Sequence, residues 1–128
     1  MLHPNQFQVN EAWIAFKLND EPIHTERDGD FDFLALMDAA SCFILGSIPV
    51  PAKSIEPARL DSRQLLKQAQ AHKKQWPATL FIPTGQPAGQ LSAEAEQHGI
   101  TVVRVAEDQL ILFIGEAREG FREHFGRD

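Results

Sequence analysis

The sequence predicts a mixed α/β (α+β) fold in which an antiparallel meander of strands is followed by helix, strand, helix, strand and helix. Three observations carry this reading. Before Pro49, short apolar runs are separated by turn residues; after it, helical periodicity alternates with short β-branched runs; and no repeat or long linker divides the chain. With 128 residues, 43% of them apolar and 23% charged, residues 1–128 have the size and composition of a single domain with its own core.

Taken in order, Ala12-Trp13-Ile14-Ala15-Phe16-Lys17-Leu18 reads as a strand, and Asn19-Asp20-Glu21-Pro22 as the turn that ends it. Ile23 to Arg27 then offers a return strand that would close a first hairpin. Phe31 to Met37 and Cys42 to Ile48 flank Asp38-Ala39-Ala40-Ser41 and predict a second hairpin, buried on both faces. Pro49 and Pro51 remove ladder donors and are expected to stop the sheet.

Asp61-Ser62-Arg63-Gln64 has capping-box spacing, so a helix is expected from Asp61 to about Gln75, packing through Leu65, Leu66 and Ala69, with Trp76-Pro77 closing it. Thr79 to Ile82 reads as a short buried strand. The turn Pro83-Thr84-Gly85-Gln86-Pro87 leads into a second helix through Leu91 and Ala95, which Gly99 stops in the left-handed conformation. Ile100 to Val105 completes a strand-helix-strand unit and a parallel pair. At the end, Leu110, Ile114, Ala117, Phe121 and Phe125 keep helical spacing, while Leu110 to Ile114 also fits a strand before Gly115; the helix is preferred.

Charge and composition narrow the function. The formal net charge is −6. Asn19 to Asp32 holds six acids against the single base Arg27, and Lys53 to Trp76 holds six bases against two acids, so a locally basic face sits on an acidic chain. Tight nucleic-acid binding is not expected, because it needs many cations on phosphates. No apolar run reaches the length of a membrane span and the N-terminus does not read as a signal peptide, so a cytoplasmic location is expected. The lone Cys42, set in Ser41-Cys42-Phe43-Ile44-Leu45, is expected to be a buried thiol in a reducing compartment.

Local motifs for chemistry are few. Gly85-Gln86-Pro87-Ala88-Gly89 lacks the glycine spacing and Lys-Ser/Thr of a phosphate loop, and reads as a turn into a helix. His3, His24, His72, His98 and His124 show no metal-binding spacing; His98 and His124 suit helix ends. Neither Ser41 nor Ser47 stands in a nucleophile elbow.

One wider pattern remains. Gly29-Asp30-Phe31-Asp32-Phe33-Leu34-Ala35-Leu36-Met37-Asp38, a turn, and Phe43-Ile44-Leu45-Gly46-Ser47 resemble the central hairpin of the restriction-endonuclease-like superfamily, the PD-(D/E)xK nucleases, nearest to Holliday-junction-resolvase and Mrr-type members. The resemblance runs from about Asp30 to Val105. It implies a restriction-endonuclease-like mixed sheet and, at Asp32, the position of a metal-binding aspartate. Leu45 and Ser47 stand where the family's glutamate and lysine belong, and leucine cannot ligate Mg²⁺ nor serine supply a positive charge. Asp30, Asp32, Gln64 and Lys67 are therefore candidates for a remnant cleft, with Lys53 as a further displaced lysine. No catalytic, cofactor or metal residue is assigned.

Two functions emerge as expectations. The first is a catalytically silent interaction or regulatory module with a protein partner and no cofactor. The second is a Mg²⁺-dependent DNA nuclease with a rearranged site, using Asp32 and a lysine from the helix after Asp61. A small-ligand site at the Pro83 to Gly89 turn ranks third.

Overall fold

A computed structural model describes residues 1–19, 22–26, 29–54 and 56–125, the side chains of residues 73, 124 and 125 excepted. The strands are β1 (Ala12–Lys17), β2 (Ile23–Thr25), β3 (Gly29–Asp38), β4 (Ile44–Pro51), β5 (Thr79–Pro83) and β6 (Thr101–Val105). The helices are α1 (Arg59–Lys73), α2 (Gly89–Gln97) and α3 (Ile111–Phe125), the last entered through a 3₁₀ turn at Glu107–Leu110. The expected order of meander, helix, strand, helix, strand and helix is what the chain forms, and the ambiguous segment after Leu110 is helical.

The described strands build one mixed sheet in the order β2-β3-β1-β5-β6, with β4 on the free side of β3. Strand β3 runs antiparallel to β1 and β4, whereas β1, β5 and β6 are mutually parallel neighbours. Of the parallel strands, β1 and β5 are largely buried between helices on the two faces, while β6 at the sheet edge is only partly covered. Trp13, Ala15, Leu34, Leu36, Leu80 and Ile82 meet Leu65, Leu66 and Ala69 of α1 and Leu91 and Ala95 of α2. On the other face Ile14, Phe16, Ala35 and Met37 meet Leu110, Phe113 and Ile114. Phe7 adds edge-on ring contacts to Phe81 and Phe113 there, which ties the N-terminal segment down.

Four local expectations are corrected. Ile23 to Thr25 does not pair with β1; it pairs with Gly29 to Phe31 of β3, continuing the line that β1 leaves. Asn19 fills the gap: its Oδ1 accepts the Phe33 amide at 2.7 Å and its Nδ2 donates to Asp32 at 3.0 Å. The edges of β1 are taken by β3 and β5, so no hairpin partner is needed. Asp20, Glu21, Arg27 and Asp28, which complete the expected turn and acidic stretch, lie outside the described residues.

Pro49 and Pro51 do not stop the sheet but lie within β4. The strand pairs only with β3, so two prolines of the same parity put their missing donors on the outer edge. Helix α1 starts at Arg59 with Ala58 as its N-cap and no side-chain cap, so Asp61 sits in the first turn and Gln64 closes no capping box. Asp61 still favours that end through the helix dipole. Finally, Cys42 is not in a strand. It has a φ of 60° in the turn before β4 and is half-buried, and burial, with Glu116 and Asp38 nearby, pushes its thiol pKa up.

Two polar clusters fasten these layers. The buried Asp38 carboxylate accepts the Asn10 amide at 2.7 Å, the Ser41 amide at 2.9 Å and the Ser41 hydroxyl at 2.7 Å. Asn10 in turn accepts from Trp13 Nε1 at 2.8 Å. Between helices, Glu94 of α2 is only 3% exposed and takes Arg59 and Arg63 of α1 at 3.2 and 3.4 Å. The Arg63 hydrogen bond, then that of Arg59, outweighs the cost of burial and holds the Glu94 pKa below the usual carboxylate value.

Candidate functional site

In an open α/β sheet, ligands meet the carboxyl ends of parallel strands, where loops diverge and leave a crevice. Here that end holds a cleft of about 300 Å³. Lys17 reaches it from the end of β1, Asp32 from β3, and Pro83, Gly85, Gln86 and Pro87 from the turn after β5. Glu107 arrives from the segment after β6, and Arg118 from α3 on the far side of the sheet. Ser54, Glu56 and Pro57 close the side between β4 and α1, and Leu34 and Val50 form an apolar floor.

Local chemistry explains each position. Lys17 shares the face of Trp13 and Ala15, but it is the last residue of β1 and so extends past the core. The turn after β5 is pinned by Arg104 of β6, which donates to the Pro83 carbonyl at 2.9 Å and also to that of Gln86. Glu56 accepts the Gln90 amide at 3.0 Å and so caps α2, whose own Ala88 N-cap offers no side-chain acceptor. Arg118 donates to the Lys17 carbonyl at 3.0 Å and pairs with Glu107. Asp32 accepts from Asn19. Lys17 makes no ion pair among the described residues.

The four sequence candidates are not brought together. Asp32 lines the cleft. Asp30 lies one step along the same face of β3 but hydrogen-bonds His24 at 2.7 Å and does not reach the cleft. Gln64 and Lys67 are exposed on α1, and neither they nor Lys53 line it. Of the bases in the Lys53 to Trp76 stretch, Arg63 is engaged by Glu94. The Pro83 to Pro87 turn, ranked last from sequence, forms one wall. Lys17, Ser54, Glu56, Glu107 and Arg118 were missed. They share no motif, and the signal that could have found Lys17 and Glu107 is their place at or just beyond the carboxyl ends of β1 and β6.

The hairpin register bears on the nuclease motif. Asp32 faces Val50, whereas Leu45 is the extra residue of a β-bulge between Leu36 and Met37, and Ser47 faces Ala35. Leu45 is buried in the core under α1. Ser47 is exposed, and its partner Ala35 belongs to the α3 side. The bulge therefore places these two residues on opposite faces, where a Glu-x-Lys pair would need one face. Among the described residues no group of three His, Cys, Asp or Glu side chains is placed to hold a metal ion. His98 occupies the C-cap of α2, as expected of a helix-end histidine, and its ring stacks on Trp76 at 4.0 Å; the His124 side chain lies outside the described set. No described helix is long and apolar enough to cross a membrane.

No family model and no curated protein matches the chain. Solved structures do. A chain of the simian T-cell lymphotropic virus intasome in complex with PP2A regulatory subunit B56 gamma matches with a TM-score of 0.60 at 10% identity, over 90% of this chain and 39% of its own length. The catalytic core domain of BIV integrase matches with a TM-score of 0.56 at 12% identity, over 89% of this chain and 68% of its own. At such identity the likeness is one of fold. The chain has an α/β fold with a mixed sheet, similar to that of the BIV integrase catalytic core.

Proposed function

We propose that the chain is a catalytically silent interaction or regulatory module on a nuclease-like α/β scaffold. The carrying observation is the engagement of the cleft's carboxylates. Glu56 caps α2 and Glu107 pairs with Arg118, which leaves of the three carboxylates only the Asp32 oxygen that is not bonded to Asn19, with the Lys17 cation beside it. A Mg²⁺ site for hydrolysis needs carboxylate oxygens free to converge on one ion and positions open to water and substrate. This donor set does not suit it. Strand β4 carries no charged residue, so the Glu-x-Lys half of the restriction-endonuclease-like pattern is lacking in any register. On this reading the resemblance reflects shared architecture, and the protein works by recognition in the cytoplasm. Ile111 and Leu112, 51% and 42% exposed at the start of α3, offer apolar surface to a protein partner.

The test is incubation of the purified chain with single-stranded, duplex and branched DNA in Mg²⁺ or Mn²⁺. No cleavage above buffer is expected. Metal-dependent cleavage that Asp32→Ala abolishes overturns the reading in favour of a rearranged nuclease.

A further inference from the structure

The cleft has room and unspent bonding capacity. Its volume of about 300 Å³ lies at the lower end of small-molecule sites and is too small for a folded partner or a duplex. Lys17 is half-buried without an ion pair among the described residues, an arrangement that an incoming anion would relieve. Asp32 gives one oxygen to Asn19, and its other oxygen retains acceptor capacity.

These two groups are separated in a specific way. Lys17 faces Leu34 across the β1 and β3 ladder, so Asp32 is its diagonal neighbour on the same face. Diagonal positions lie about 7–8 Å apart. The two side chains are not in ion-pair contact, and a ligand carrying an anion and an ammonium close together would bridge them. The lining carries three carboxylates and two cations, a formal charge of −1, which disfavours phosphates and other polyanions. Beside the polar pair, Leu34, Val50, Pro57, Pro83 and Pro87 supply an apolar wall.

We propose that this cleft binds a free α-amino acid with an apolar side chain, its carboxylate on Lys17, its ammonium on Asp32 and its side chain against Val50 and the prolines. The inference rests on the reading that the cleft does no nuclease chemistry, and it gives the regulatory module a small-molecule input.

The probes are leucine, valine and phenylalanine, compared with leucine amide, N-acetylleucine, inorganic phosphate and AMP, by calorimetry and thermal denaturation of the full chain. At least one of the three amino acids should bind and raise the melting midpoint in a saturable way. The amide and the N-acetyl compound should bind at least about tenfold more weakly. Lys17→Met should abolish the preference for leucine over its amide, and Asp32→Asn the preference over N-acetylleucine. If Asp32→Asn does not fold, Lys17→Met and the analogue series still decide. The proposal is overturned if no amino acid binds at up to about 10 mM, if phosphate or AMP binds in preference, or if Lys17→Met binds leucine as the unmodified chain does. Those failures leave the silent-module reading standing, which metal-dependent DNA cleavage tests separately.

Discussion

Asp32 of β3 stands directly across from Val50 of β4, and this pairing separates the one hairpin acid that reaches the cleft from Leu45 and Ser47. Those two lie five and three residues nearer the other end of the hairpin, about 10 to 16 Å along the strand. Asp32 meets instead the apolar end of β4, and its neighbours in the cleft come from other elements.

Millimolar Mg²⁺ should therefore leave the thermal midpoint unchanged, since an ion that binds only the native state must raise it. The double variant Leu45→Glu, Ser47→Lys should stay Mg²⁺-insensitive as well, because its new side chains are remote from Asp32 and on opposite faces. A metal-dependent rise that Asp32→Ala removes would show that a working site exists.

Glu94 predicts an acid-side effect. Its folded pKa lies below the unfolded value, so its contribution is fully present above the unfolded pKa of about 4.3 and is lost as pH falls through the lower folded value. Between pH 7 and 3, chemical denaturation should show a smaller acid-dependent loss for Glu94→Gln than for the unmodified chain, and a lower stability at pH 7. Equal acid slopes in the two proteins would contradict the assignment.

Asp38 is expected to be the most costly polar residue to truncate. Asp38→Ala leaves the Asn10 amide and both Ser41 donors without their acceptor, a destabilisation of about 2–4 kcal/mol. Asp38→Asn keeps an acceptor and should lose less. Urea denaturation followed by tryptophan fluorescence measures both, and Trp13, which hydrogen-bonds Asn10, serves as a local reporter.

Tight DNA or RNA binding is not expected at about 150 mM salt. Of Arg63, Lys67 and Lys74, the first is already paired with Glu94 and the last lies past α1 as its left-handed C-cap, which leaves Lys67 of the three on the helix for phosphate. Fluorescence anisotropy should find only weak, salt-sensitive and sequence-indifferent binding. Submicromolar, structure-selective affinity that the reversal Arg63→Glu, Lys67→Glu, Lys74→Glu abolishes would revive the nuclease.

The order and type of the elements were legible in the sequence, because apolar period, glycine and proline are local signals. Leu65, Leu66 and Ala69 declared their helix face, and Gly99, at a φ of 76°, declared the stop of α2. Partner choice was not legible. Whether Ile23 pairs with β1 or β3, and whether Pro49 ends a strand or edges one, depends on which strands already occupy the neighbouring ladder positions. The cleft was less legible still. Lys17, Asp32, Glu107 and Arg118 are spread along most of the chain and share no motif; they meet because three parallel strands end together and α3 crosses the opposite face. The sequence by itself determined the elements and the lack of a Glu-x-Lys pair; the tertiary structure decided which charges face one another, since that depends on strand register and layer packing, which pair residues far apart in the chain.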